Sequence, residues 1–213
     1  VIKTNMAKNC HMDREATFGQ ITAFVSQANK ERTCKVYLLH GDMTDEEMHS
    51  LYKHSKIKSL VALPHGEGFG LPIFEAAYSD LPVIATGWSG QLDFLVDGDA
   101  KDCFYNVAFD IQPIPDEVVW DGVLIKESMW AYPREQSAKE KMRICYNDIL
   151  AGTKNRGEDR ALKLTARLEE EFSSEIKYKE FCNVISEEEA LEIENWLLGL
   201  QDDDESSEIV EYE

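Results

Sequence analysis

A glycine-rich turn, His65-Gly66-Glu67-Gly68-Phe69-Gly70-Leu71, sits between a strand and a helix, and it narrows most what this chain can fold into. Ile57 to Leu63 reads as a strand, Pro72 to Tyr78 as a short helix, and Leu81 to Thr86 as the next strand. A turn in that place presents backbone N–H groups and the positive end of a helix to an anion, most often a phosphate. Pro72 suits the first helical position, where its missing N–H costs nothing. Two carboxylates border the same mouth. Glu67 lies in the turn, Glu75 lies about one helical turn in, and helical side chains lean toward the N-terminus. A carboxylate accepts hydrogen bonds from hydroxyls and repels a bare phosphate. The pattern therefore calls for a ligand that carries both groups, a nucleotide or a nucleotide-sugar. The plainer alternative is that Glu67 caps the helix and complements its dipole.

Strands and helices alternate through the first half of the chain. Val1 to Asn5 reads as a strand, and Met12 to Lys30 as an amphipathic helix with Phe18, Ile21, Phe24 and Val25 on one side. Cys34 to His40 reads as the next strand. Thr44 is the expected N-cap of a helix through Tyr52, with Glu47 completing a capping box. A short helix is expected from Ser89. This alternation predicts an α/β fold with a parallel, doubly wound, Rossmann-like sheet, followed by helices. Ligands of such sheets bind at the carboxyl ends of the strands. His40-Gly41, His65 to Gly70 and Thr86 to Gly90 all follow strand ends and are expected on one rim. Asp97 to Glu127 is less regular, with short extended segments at Val118 to Trp120 and Val123 to Ile125, before Met129 to Pro133 closes it. Helices are expected over Glu135–Leu150, Glu158–Phe172, Ser174–Val184 and Ser186–Leu200, and Gln201 to Glu213 reads as a disordered acidic tail.

Composition removes several classes of function. No apolar run approaches the roughly 20 residues that span a bilayer, so no membrane span is expected. The net charge is −19, and 12 of the 41 acids but none of the 22 bases lie in residues 186–213. Nucleic acid is an unsuitable partner, because binding phosphates along a strand needs clustered bases. The five cysteines show no C-x-x-C spacing, and the histidines no H-E-x-x-H, so neither a disulfide framework nor a metal site is indicated. A reducing cytoplasm is the matching expectation.

Glu67-Gly-Phe-Gly-Leu-Pro-x-x-Glu75, followed by Pro82 to Thr86 and Ser89-Gly90, resembles the donor-site signature of retaining glycosyltransferases of family 4. The closer resemblance is to a bacterial and phage-type subgroup written His-Gly-Glu-Gly-Phe-Gly, here His65 to Gly70, then Trp-Ser-Gly-x-x-Asp-Phe-Leu, here Trp88 to Leu95. Members of this family have two Rossmann-like domains facing a cleft, the B fold. The resemblance covers about residues 1–185, is tightest over 43–95, and corresponds to the C-terminal, donor-binding half. It implies that the N-terminal acceptor domain and the first strand-helix unit of the donor domain are missing here. It divides the chain into a nucleotide-sugar-binding domain at 1–133, a helical region at 134–200 and the tail at 201–213.

By this resemblance Glu75 holds the ribose hydroxyls of the donor nucleotide and Glu67 contacts the donor sugar. Gly68, Phe69, Gly70 and Leu71 present backbone N–H groups to the diphosphate, the Phe69 ring serving packing, and Gly66 belongs to the same donor site. His40 and Met43 flank the nucleobase. Asp80 stands where the family has glycine, and aspartate tolerates the left-handed conformation better than most residues. Other residues keep two readings. His65 donates to a phosphate oxygen or to the sugar, or else bonds a carbonyl at the strand end. Ser89 and Gly90 offer a second anion contact. Trp88 walls the sugar pocket or simply packs. Lys3 contacts phosphate or is an edge-strand lysine.

The expected function is transfer of a hexose or similar sugar from a nucleotide-diphosphate donor to an acceptor hydroxyl of a saccharide or glycan. Retention, metal independence and no cofactor are implied, and this chain alone is expected to bind donor without turnover. A non-catalytic nucleotide-sugar-binding module, or one part of a split enzyme, is the alternative. A dinucleotide-dependent oxidoreductase ranks below both, for want of G-x-G-x-x-G and an acid about 20 residues on.

Overall fold

The computed structural model describes residues 1–4, 9–28, 31, 33–99, 101–151, 156–184, 189 and 191–196, with the side chains of 156–159 left aside. Two units, Val1–Ile57 and Lys58–Glu213, each hold their own contacts.

In the first unit, β1 (Ile2–Thr4) and β2 (Leu38–His40) pair in parallel, Ile2 opposite Leu38 and Thr4 opposite His40. Helix α1 (His11–Gln27) lies between them in sequence, and α2 (Asp45–Tyr52) follows β2. The expected capping box is present. The Glu47 N–H donates to Thr44 Oγ1 at 3.2 Å, and the Thr44 N–H donates to the Glu47 carboxylate at 2.9 Å, satisfying two of the donors a helix start leaves over. The covered strip of α1 differs from the expected one. It runs through Asp13, Thr17, Ile21 and Val25, at four-residue spacing, while Phe18 and Phe24 are 60% and 72% exposed. The polar anchor accounts for the rotation: Asp13 Oδ2 lies 2.8 Å from His40 Nε2 on β2, and both side chains are buried. Turning Phe18 and Phe24 inward would pull Asp13 off that partner.

In the second unit, β3 (Leu60–Ala62), β4 (Val83–Thr86) and β5 (Tyr105–Val107) form a parallel sheet in the order β3-β4-β5. Leu60 pairs with Val83 and Ile84 with Tyr105. All four residues of β4 are buried, as befits a parallel strand covered on both faces. Helix α3 (Leu71–Tyr78) connects β3 to β4, and α4 (Leu92–Leu95) falls between β4 and β5. An antiparallel hairpin follows, β6 (Phe109–Pro113) with β7 (Met129–Pro133), Phe109 opposite Pro133. Then come α5 (Glu135–Leu150), α6 (Arg156–Glu171) and α7 (Ser174–Cys182).

The core forms where helices close on this sheet. Ala138 and Cys145 of α5 pack on Ile84, Tyr105 and Val107. Helix α6 buries Ala161, Leu164, Thr165 and Leu168, the i, i+3, i+4, i+7 stripe of an amphipathic helix. This stripe meets α3, where Thr165 Oγ1 donates to the Ala77 carbonyl at 2.8 Å. A leucine buried this fully contributes about 1.5–3 kcal/mol. The parallel α/β architecture is as expected. Within Asp97 to Glu127, however, β5 and β6 replace the expected irregular stretch, and Tyr105 and Val107 turn inward at strand spacing. Val118 ends a single 3-10 turn (Asp116–Val118), and Trp120 forms an isolated bridge with Leu124. Asp80 adopts φ +59°, the left-handed conformation expected of it. Of the expected helix Ser186–Leu200, residues 191–196 are helical and the ends lie outside the described residues, as does the tail.

Candidate functional site

The turn between β3 and α3 is built around Gly70. Gly70 caps α3 at φ +87°, and its carbonyl accepts from the N–H groups of Ile73 and Phe74 at 2.9 and 3.0 Å. That φ favours glycine, and a Cβ there would also press to 3.3 Å on Gln91 Cβ. Helix α3 starts at Leu71, so Pro72 sits one position later than expected, still in the first turn. Among the described residues no acceptor meets the N–H of Gly68, Phe69, Gly70 or Leu71. Four donors therefore gather at the positive end of α3, an arrangement suited to an anion.

The loop after β4 shapes the turn from one side. Gly87 N–H donates to the Val107 carbonyl at 3.0 Å, and Ser89 takes φ +79°. Ser89 Oγ donates to the Glu67 carbonyl at 2.7 Å and accepts the Glu67 N–H at 3.1 Å. The Gly90 N–H donates to the same carbonyl at 3.0 Å. Both expected anion donors thus direct their polar groups at the Glu67 backbone and hold the turn in shape.

Strand β7 holds the other end. His65 Nδ1 donates to the Ala131 carbonyl at 2.9 Å, and the Ala131 N–H donates to the His65 carbonyl at 3.1 Å. The imidazole stacks on Trp130 with centroids 4.8 Å apart and meets Tyr132 at 4.6 Å. Of the readings open for His65, the carbonyl bond is present.

Glu67 is exposed, and Glu75 is half-buried in the second turn of α3. Gly66 has only Ser89 Oγ near its missing Cβ, and Gly68 has nothing. The Phe69 ring lies 5.3 Å from Phe74 and 5.0 Å from the buried Phe94, so it packs. Leu71 is exposed at the helix start. Trp88 leans on Phe109 at 5.4 Å. In the first unit, Lys3 Nζ donates to the Gly41 carbonyl and His40 is engaged with Asp13. Met43 lines a shallow groove of about 380 Å³ along α2, with Glu46, Glu47, Ser50, Leu51 and His54.

Three contributors had no local signal in the sequence. Gln91 is fully buried beneath the turn, where Nε2 donates to the Thr86 carbonyl at 3.0 Å. Among the described residues, its Oε1 and Thr86 Oγ1 are buried with no hydrogen-bond partner. Trp130 and Tyr132 reach His65 across 65 and 67 residues of chain. Among the described residues, no group of three or more His, Cys, Asp or Glu side chains gathers as metal ligands would.

Residues 23–111 match the family model of glycosyl transferases, group 1. The matched span holds the whole turn, α3, β4 and β5, and ends within β6. No curated protein and no solved structure matches the chain. The family match supports glycosyl transfer, with a sugar donor and an acceptor as substrates, and agrees with a Rossmann-like α/β domain of parallel sheets.

Proposed function

We propose that this chain supplies the donor site of a retaining, metal-independent glycosyltransferase, which moves a sugar from a nucleoside diphosphate to an acceptor hydroxyl of a saccharide or glycan. One observation carries the reading: four N–H groups at the start of α3 that meet no acceptor among the described residues, with Glu67 in the turn beside them and Glu75 one turn further on. In transfer, the bond from the anomeric carbon to the diphosphate oxygen breaks. A bond to the acceptor oxygen forms on the same face, and the acceptor proton passes to the departing phosphate. Negative charge grows on the diphosphate as it leaves. Preorganised donors aimed at that charge are often the largest catalytic contribution. The N–H groups of Gly68, Phe69, Gly70 and Leu71 fill that role here. Glu75 holds the ribose hydroxyls and Glu67 the donor sugar. Gly66 gives the backbone room, and Ser89 and Gly90 hold Glu67 in place.

Calorimetry with UDP, GDP and ADP, and with UDP-glucose, GDP-mannose and ADP-glucose, tests this reading with and without excess EDTA. One nucleotide series is expected to bind, in the millimolar to micromolar range that a few hydrogen bonds support, and to bind equally in EDTA. No binding in any series, or binding that needs Mg²⁺ or Mn²⁺, overturns it. Donor binding without transfer to a saccharide acceptor is the outcome expected of this chain by itself.

A further inference from the structure

We infer that His65 reads the donor sugar as a neutral hydrogen-bond acceptor through Nε2, so that the site selects a sugar with a free hydroxyl at the position facing this residue. The inference rests on the donor-site reading above. A carbonyl oxygen only accepts, so the 2.9 Å contact of Nδ1 with the Ala131 carbonyl places the ring proton on Nδ1. In the neutral imidazole, Nε2 then keeps its lone pair.

The rest of the setting keeps that tautomer. Both backbone polar groups of Ala131 are committed to His65, one to Nδ1 and one to the carbonyl. Ala131 is fully buried, so a ring flip would strand its carbonyl without a partner, an expensive outcome. The stack on Trp130, parallel to within 4°, fixes the plane of the ring. The ring is half-buried, and among the described residues no group bonds Nε2.

An acceptor in that place discriminates between ligand groups. A diphosphate has no proton to offer at neutral pH, whereas a sugar hydroxyl has. Glu67, two residues on, is an acceptor as well. Two acceptors two residues apart in one turn ask for hydroxyls and disfavour a sugar that is deoxygenated or blocked there.

Two measurements on the full chain test this. ¹⁵N NMR of histidine-labelled protein at neutral pH, with His65 assigned by His65→Asn, should show Nδ1 protonated and Nε2 bare. A dominant Nε2–H form overturns the inference. Calorimetry then compares UDP-glucose with UDP, GDP-mannose with GDP, and ADP-glucose with ADP. In His65→Asn the side-chain amide can still donate to Ala131 but leaves nothing at Nε2. Nucleotide-sugar affinity should fall about tenfold, the scale of one hydrogen bond, while free nucleotide stays within about twofold. Equal losses for both ligands would mean that His65 only holds the turn. If wild-type protein binds none of the six, the donor-site reading fails and this inference fails with it. Wild-type binding with no selective loss in His65→Asn overturns this inference alone.

Discussion

Gly90 lies so close to Gly68 that a Cβ added to it would sit 1.9 Å from the Gly68 carbonyl oxygen and 3.0 Å from the Glu67 carbonyl oxygen. Backbone cannot give way as a flexible side chain can. Gly90→Ala should therefore push the two loops apart, at about 1–3 kcal/mol as for other overpacked sites, and weaken nucleotide binding with it. Gly68→Ala meets open space and should leave stability within about 0.5 kcal/mol. Thermal unfolding of the pair checks this. Equal melting temperatures would show that the two loops do not need their close contact.

Ser89 combines a strained backbone with two hydrogen bonds, so its substitutions separate the two effects. Ser89→Gly loses the bonds to Glu67, each worth about 0.5–1.5 kcal/mol, but relieves φ +79°. Ser89→Ala loses the same bonds and keeps the left-handed strain, about 1–2 kcal/mol. Alanine should be the less stable variant in denaturant titrations. The opposite order would remove strain from the account of this loop.

The two glutamates should separate by ligand. Glu75→Ala is expected to weaken free nucleoside diphosphate and nucleotide-sugar alike, because it acts on the ribose. Glu67→Ala is expected to spare the free nucleotide and weaken only the nucleotide-sugar. Each loss should be about 1–3 kcal/mol, typical of one polar partner removed. Calorimetry that found equal losses for both ligands in both variants would reverse the assignment.

Tyr105 predicts alkaline behaviour. Burial first, then the 2.9 Å bond from its hydroxyl to Asp148, pushes the phenol well above its ordinary value. A group whose folded pKa is raised contributes stability that is complete below its unfolded pKa, about 10 for tyrosine, and is lost as pH rises through the folded value. Burial also pushes the Cys145 thiol up, and its loss begins nearer to about pH 8.5. Denaturant midpoints should thus fall steadily on the alkaline side. In Tyr105→Phe the fall above about pH 10 should shrink while the earlier Cys145 portion remains. An unchanged profile would mean that Tyr105 ionises as freely folded as unfolded.

Much of the fold was legible because its signals are local. Glycine at a left-handed cap, proline in a first turn, a Thr44–Glu47 box and Asp80 at φ +59° each express a backbone preference of one or two residues. The alternation of strands with helices is periodic, and periodicity survives without knowledge of the partner. The strands β5 and β6 escaped notice because three to five residues are too few to display a period. The covered strip of α1 is not legible in its own sequence, because its rotation answers to Asp13 meeting His40, 27 residues apart.

Local chemistry alone determined that a strand runs through a glycine turn into a helix here, and that two acids stand at that helix. Backbone sterics and helix polarity act within a few residues, so they can be read in order along the chain. Which groups remain available at the turn was decided only in three dimensions. Ser89 and Gly90 spend their donors on Glu67, and β7 takes up one ring nitrogen of His65 and leaves the other. Those choices depend on loops 22 and 66 residues away in sequence closing to hydrogen-bond distance, and only the packing of the whole unit sets such distances.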